Sequence, residues 1–153
     1  MHGEHTVTVN RPPEVVFSHI ADGSLNATWR PSVIEVALRS GDGGEGSVWH
    51  QLVHGPAGNL ADADYVVTSC QRPRLYAYEV TAGPVRGTSV YTLTTSRPGE
   101  TTVTLAVTLT PRGALCLLTG FVLRQVVDEL DSLERLRQVL SLSAGDPAQP
   151  PSR

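Results

Sequence analysis

The sequence predicts an α+β domain in which a curved antiparallel sheet wraps around one long helix near the C-terminus. Apolar residues recur at three- and four-residue steps from Gly113 to Leu142, the spacing of one stripe on a helix. Between residues 33 and 110, six strand-like segments follow one another with short turns. Such strands pair as an antiparallel meander, and the helix is the element large enough to cover one side of that sheet.

Length and composition describe one globular domain. The chain has 153 residues, of which 40% are hydrophobic, and a formal net charge of −3. A chain of this length can bury about two thirds of the surface that it exposes when unfolded. We assign residues 1–144 to the domain and expect the Pro-, Ala- and Gly-rich tail 145–153 to be disordered. No basic patch is present, which argues against a nucleic-acid partner.

The cysteines and the N-terminal segment predict a cytoplasmic protein. Cys70 and Cys116 lie far apart and form no Cys-x-x-Cys motif, so we expect two free thiols in a reducing compartment. The segment from Met1 to Thr8 is polar, and we expect neither a signal peptide nor a membrane partner.

The first thirty residues predict one strand and two short helices. Alternation of apolar and polar residues predicts a strand over Glu4–Asn10. Two prolines then precede a helix over Glu14–Ile20, since proline is favoured at the start of a helix. Ser24 is placed to cap a second short helix that contains Trp29 and ends before Pro31.

Six strands follow, separated by turns rich in glycine and proline. The last strand defines its two faces most clearly, because apolar residues over Val103–Leu109 alternate with threonines. One apolar face and one threonine face indicate a sheet that is covered on a single side. The predicted strands are Val33–Ser40, Ser47–His54, Leu60–Cys70, Leu75–Thr81, Val85–Thr95 and Thr101–Thr110.

The long helix directs an apolar stripe toward the sheet. Thr110 and Pro111 are placed to start it and Gly145 to end it. Glu129 interrupts the stripe, with Gln125 one turn earlier on its edge. A carboxylate in an apolar stripe either reaches water at an edge or faces a cavity. The stripe consists of Leu115, Leu118, Val122, Val126, Leu130, Leu133, Leu136 and Leu140.

Short motifs also occur in a characteristic order along the chain. They are Pro13 through Phe17, Ala21-Asp22, Trp29-x-Pro31-x-Val33, Gly46, Pro73-x-Leu75, Gly83-Pro84, Tyr91-Thr92-Leu93 and Thr101-x-Val103. This order resembles the START/Bet v 1-like superfamily, and within it the polyketide cyclase/dehydrase-like proteins. The resemblance implies a helix-grip fold with a cavity between sheet and helix, open near the short helices. It implies a hydrophobic ligand but no single reaction, because the scaffold serves cyclases, lipid carriers and receptors.

Strand alternation and the implied cavity select candidate catalytic residues. Glu129 and Glu79, with the hydroxyl of Tyr91, would act as acid–base groups. The strand over residues 75–81 leaves two alternatives, because either the set with Glu79 or the set with Tyr76 and Tyr78 faces inward. The resemblance favours the set with Glu79.

The strand over residues 47–54 also leaves two alternatives, because either the set with Trp49 and Gln51 or the set with His50 can face inward. We place Trp49 and Gln51 inward and His50 at the mouth of the cavity. The predicted substrate-binding residues are Trp29, Trp49, His50, Gln51, Tyr65, Leu105, Leu118, Phe121, Val122 and Gln125.

Two apparent motifs fail on their context. Gly41-x-Gly43-x-x-Gly46 matches a dinucleotide fingerprint, but it joins two antiparallel strands and opens no helix. His50 and His54 are about 13 Å apart on a strand that rises ~3.3 Å per residue, too far for one metal ion. We therefore expect no cofactor and no metal.

Together these observations predict a cyclase or dehydratase of secondary metabolism that acts on a polyketide-like hydrophobic substrate. A cavity that folds a reactive chain into one conformer can supply much of the rate. The alternative is a non-catalytic carrier for a lipid or aromatic ligand. A third possibility is a homodimer that pairs through the exposed sheet face.

Overall fold

One antiparallel sheet forms most of the molecule. The computed structural model describes residues 1–55, 58–112 and 119–148. The strand order is β1-β8-β7-β6-β5-β3-β2, with β4 paired beside β5 on β3. The predicted α+β meander is confirmed, and the first strand joins its last strand. The strands are β1 His2–Val9, β2 Val33–Ser40, β3 Val48–His54, β4 Leu60–Asp62, β5 Tyr65–Gln71, β6 Leu75–Val80, β7 Val85–Arg97 and β8 Glu100–Pro111.

The sheet has one strand more than the predicted set because the segment 60–70 is broken. Its two parts, β4 and β5, pair with different ends of β3. Between them, the Asp64 carboxylate accepts hydrogen bonds from the backbone N–H of Gln51 and from His50. The side chain thus takes a place that a ladder hydrogen bond would otherwise fill, and the strand stops there.

The helices lie at the predicted places in the chain, but they begin and end at other residues than predicted. They are α1 Pro13–Ala21, a 3₁₀ turn Gly23–Leu25, α2 Asn26–Trp29 and α3 Thr119–Ala148. The cap before the second helix is Asp22 and not Ser24, because Asp22 Oδ1 accepts from the Ser24 backbone N–H at 3.1 Å. The predicted start of α3 was wrong, since Thr110 and Pro111 belong to β8. The helix also continues past Gly145 to Ala148.

The apolar stripe of α3 forms the core with β1 and β8. Val126, Leu133 and Leu136 are all buried, as are the inward residues of β8. The helix passes so close to β1 that a Cβ on Gly3 would lie 2.7 Å from Leu130 Cδ1. The predicted stripe residues Leu115 and Leu118, and Cys116, lie outside the described residues, whereas Cys70 is a free thiol. In the described part of the chain, no helix combines the length and apolar composition needed to cross a membrane.

The face of β6 that points inward is the opposite of the one expected. In the β6–β7 register, Tyr76 lies across from Tyr91 and Tyr78 from Ser89. Directly opposed residues share a face of a sheet, so the inward Tyr91 brings both tyrosines inward. Glu79 is therefore exposed, and its predicted place in the cavity was wrong.

Candidate ligand-binding and active site

A pocket lies between the ends of β3, β6 and β7 and the first turns of α3. It has an empty volume of about 600 Å³, which includes its opening to solvent. One wall is apolar, from Val53, Val80, Val85, Leu109 and Phe121. The polar part of the lining consists of Arg30, Ser32, Gln51, His54, Asp62, Tyr78, Ser89, Gln125 and Glu129.

An ion pair between Arg30 and Glu129 forms the inner polar wall. Arg30 Nη2 donates to Glu129 Oε1 at 2.9 Å, and the side chains are only 5% and 12% exposed. Burial alone would lower the pKa of the Arg30 guanidinium, but the Glu129 carboxylate and nearby tyrosines outweigh this effect and raise it. The pocket therefore holds a permanent positive charge beside a carboxylate.

The local backbone of α2 places Arg30 in the wall. This helix is one turn long, and the Arg30 backbone N–H closes it on the Asn26 carbonyl at 2.8 Å. Pro31 prevents the helix from continuing. Trp29 is 1% exposed and packs edge-on against Tyr91, with ring centroids 6.1 Å apart. Because Trp29 is held in the core, the side chain of the next residue, Arg30, lies toward α3.

A buried hydrogen-bond network supports the pair from behind. Gln51 Oε1 accepts from Asn26 Nδ2 at 3.0 Å and from Arg30 Nη1 at 3.4 Å. Asn26 Nδ2 also donates to the Tyr65 hydroxyl at 2.9 Å. The chain of contacts runs from Tyr65 to Glu129 and joins strands β5 and β3 to helices α2 and α3. Such a network holds the guanidinium in one position.

The four tyrosines of the chain, Tyr65, Tyr76, Tyr78 and Tyr91, are all buried beside this network. Burial raises the pKa of each hydroxyl. The Arg30 guanidinium lies 5.8 Å from the ring centroid of Tyr78, within cation–π range. These hydroxyls remain protonated and can act as hydrogen-bond donors.

Several buried polar atoms of this cluster have no hydrogen-bonding partner among the described residues. Leaving a buried donor or acceptor unpaired costs about 1–3 kcal/mol. A molecule that enters the pocket could satisfy them. They are Arg30 Nε, Glu129 Oε2 and the hydroxyl oxygen of Tyr76.

The pocket contains part of the residue set predicted from sequence. Gln51, Phe121, Gln125 and Glu129 line it, whereas Leu118 lies outside the described residues. His50 points to the opposite face of β3, where its Nδ1 pairs with Asp64 at 2.8 Å. The other predicted residues are buried in the core and do not line the pocket: Trp29, Trp49, Tyr65, Tyr91, Leu105 and Val122.

Packing under the 3₁₀ turn explains why this pocket does not extend to Trp49 and Tyr65. Trp49 stacks on Tyr65, with ring centroids 6.4 Å apart, directly under the 3₁₀ turn. A Cβ on Gly23 would lie 2.6 Å from both side chains. The predicted substrate-binding residues Trp49 and Tyr65 are therefore packed against each other and do not line the pocket.

One group with metal-binding spacing exists in the described part of the chain. The ligand atoms of His50, Asp62 and Asp64 lie within 4.8 Å of one another. Asp64 already accepts from His50 and from the backbone of Gln51, and Arg39 lies 3.8 Å away. Its oxygens are thus used to fasten β3, and we assign no metal to this group.

Arg30, Asn26 and Tyr78 are the site residues that the sequence reasoning missed. Arg30 occupies the variable position of Trp29-x-Pro31, and a charge between a large aromatic residue and a proline was the available signal. Tyr78 would have been found with the other choice of face for β6.

Comparisons with known proteins agree with the fold. The sequence model of a family described as polyketide cyclase/dehydrase and lipid transport matches residues 1–140. None of the curated proteins matches the chain. Several solved structures are similar to this chain at low sequence identity. Their likeness confirms the predicted helix-grip fold and gives no information on activity. They are the Zhui aromatase/cyclase from Streptomyces sp. R1128 (24% identity, 91% of this chain and 95% of that chain, TM-score 0.71), a START superfamily protein from Mycobacterium smegmatis (14%, 91% and 98%, 0.72) and Ara h 8.0201 (18%, 92% and 98%, 0.70).

Proposed function

Because the chain belongs to the polyketide cyclase/dehydrase and lipid transport family, we propose that its pocket binds a polyketide-like small molecule and catalyses proton transfer during cyclisation or dehydration. The observation that carries this proposal is the Arg30–Glu129 pair in the pocket wall. Cyclisation by aldol closure needs a base at an acidic carbon and a positive group at the developing enolate oxygen. Glu129 can supply the base and Arg30 the positive group, and one hydrogen bond joins the two side chains.

The chemical step uses Glu129 as the base. Its carboxylate removes a proton from the carbon beside a ketone, and the C–H electrons form the enolate. Arg30 donates an N–H to the enolate oxygen. The enolate carbon then attacks a second ketone of the same molecule, forming the ring bond. The carboxylic acid of Glu129 returns its proton to the resulting alkoxide. For dehydration, the regenerated carboxylate removes the remaining proton from the same α-carbon, and the C–H electrons form the C=C bond. The β-hydroxyl leaves as hydroxide and takes the proton from Glu129 to give water.

The neighbouring residues position the substrate. The Tyr78 hydroxyl stays neutral because burial raises its pKa, so it would serve as a hydrogen-bond donor to a carbonyl and not as a base. Tyr91, predicted as a catalytic residue, is too deeply buried to line the pocket and would support Tyr78. The apolar wall would bind the hydrocarbon part of the chain by excluding water.

A carrier function is the second candidate, and the ion pair itself favours it. One oxygen of the Glu129 carboxylate is already occupied by its hydrogen bond from the Arg30 guanidinium, which leaves less of the carboxylate free to take a substrate proton. A pocket of this kind could hold a ketone or alcohol without changing it. Glu129 would then serve only to orient Arg30.

Incubation of the protein with a synthetic 1,3,5-triketone distinguishes the two candidates. We expect mass spectrometry to detect a cyclised product that has lost water. The product should form with the wild type and with Asp131→Asn, an exposed charge change two residues further along α3, but not with Glu129→Gln. Stoichiometric recovery of the bound, unchanged triketone would favour the carrier. A triketone that is neither bound nor changed would contradict both.

A further inference from the structure

We infer that the pocket selects uncharged ligands that present a hydrogen-bond acceptor beside a donor, as a primary amide, an enol or a β-hydroxy ketone does, and that it discriminates against carboxylates. This inference rests on the proposed function only in that the pocket must bind a small molecule. It adds the chemical class of the group that is recognised at the inner wall.

The charge of the inner wall is already balanced. Arg30 is a strong cation that could attract an acid, but Glu129 lies 2.9 Å from it and neutralises it. Asp62 is a further negative group in the lining, and the described lining contains no second arginine. Among its arginine, aspartate and glutamate side chains, the described lining thus has one more negative than positive group. A bound carboxylate would add another negative charge close to Glu129, where little water can screen it.

A ligand can satisfy the unpaired atoms of the ion pair if it offers one hydrogen-bond donor and one acceptor. Arg30 Nε is a buried donor without a partner among the described residues, and Glu129 Oε2 is a buried acceptor in the same condition. The Tyr78 hydroxyl also lines the pocket, and burial raises its pKa, so it stays neutral. A ligand carbonyl can accept from Arg30 or Tyr78, and an adjacent N–H or O–H can donate to Glu129. A carboxylate offers acceptors only, so it leaves Glu129 unsatisfied.

Two probes with the same ring system separate charge from shape. Isothermal titration calorimetry near neutral pH compares 2-naphthamide with 2-naphthoate, which has the same hydrocarbon and is ionised. We expect the wild type to bind the amide at least about tenfold more tightly, a difference of ~1.4 kcal/mol.

The variant Glu129→Gln should reverse this preference. It leaves Arg30 without its counter-charge, so naphthoate becomes the better ligand. The matched control Asp131→Asn makes the same charge change on an exposed part of α3 and should keep the wild-type preference.

Each outcome decides the inference. Equal or tighter binding of naphthoate by the wild type overturns it, as does an unchanged preference in a folded Glu129→Gln protein. If that variant does not fold, the wild-type preference decides alone. Failure of both probes to bind the wild type would overturn this inference together with the proposed ligand pocket, whereas tight binding of naphthoate would leave the ligand pocket standing.

Discussion

Arg30 and Glu129 are 99 residues apart in the chain, and their side chains meet at 2.9 Å in a buried ion pair. The pair joins the end of the single-turn helix α2 to the first half of α3. It explains how a carboxylate can interrupt an apolar stripe, because a buried charge is tolerated when it is paired. The same contact gives the pocket its polar wall.

Removing one partner of this ion pair should lower the stability of the protein. The variant Arg30→Gln leaves Glu129 buried without its cation, and we expect it to lower the free energy of unfolding by about 3–5 kcal/mol. The double variant Arg30→Gln/Glu129→Gln should lose less than the single one, because no unpaired charge remains. Urea unfolding measures these two variants and the single variant Glu129→Gln. The exposed pair Arg124–Asp128 is the control, and Arg124→Gln should cost under about 1 kcal/mol. A double variant that loses the sum of the two single losses would show that the pair is not coupled.

The stripe of α3 predicts a second difference in stability. Leu133 is fully buried against the sheet, and Leu133→Ala should lower the free energy of unfolding by roughly 2–5 kcal/mol. Leu123 lies on the same helix but is 54% exposed, and its substitution by alanine should change stability by less than about 0.5 kcal/mol. Similar losses at the two positions, measured by thermal or urea unfolding, would mean that the helix is rotated about its axis.

The buried tyrosines predict how stability depends on pH. The unfolded chain ionises its tyrosines near pH ~10, whereas burial raises the pKa of all four in the folded state. Above this pH the folded state binds more protons than the unfolded state. Stability should therefore be fully present below about pH 10 and fall above it, by up to about 1.4 kcal/mol per pH unit for each tyrosine.

Tyrosinate absorbance tests this directly, since every tyrosine of the chain belongs to the cluster. All four should ionise together, at the alkaline pH where circular dichroism shows unfolding. Ionisation of even one tyrosine near pH ~10 in a folded protein would contradict the burial described here.

Regular patterns made much of the fold predictable. The stripe of α3 and the alternation of β8 each repeat over several turns or residues, so that a wrong assignment would expose many apolar side chains at once. These patterns placed Glu129 within the buried face. The inward positions of Tyr65 and Tyr91 followed from the same reasoning and are confirmed. The pattern did not separate the two faces of the strand over residues 47–54, but the choice of Trp49 and Gln51 as inward is also confirmed.

What the sequence did not predict depends on contacts between distant segments. On β6, both faces carry apolar atoms, and only pairing with β7 decides that Tyr78 and not Glu79 faces inward. The break between β4 and β5 depends on Asp64 bonding to β3. Arg30 becomes a site residue only because Glu129 is opposite it in the fold. Local periodicity contains no information about any of these three contacts.

In the proposed function, Glu129 moves a proton of a hydrophobic ketone that is bound in this pocket. Exchange of the α-protons of 2-tetralone in deuterated buffer, followed by proton NMR, measures that step without knowledge of the natural substrate. We expect the wild type and Asp131→Asn to exchange them well above the buffer rate, and Glu129→Gln to be slower by roughly 10²–10⁴-fold. Wild-type exchange no faster than that of a folded Glu129→Gln protein would contradict the claim.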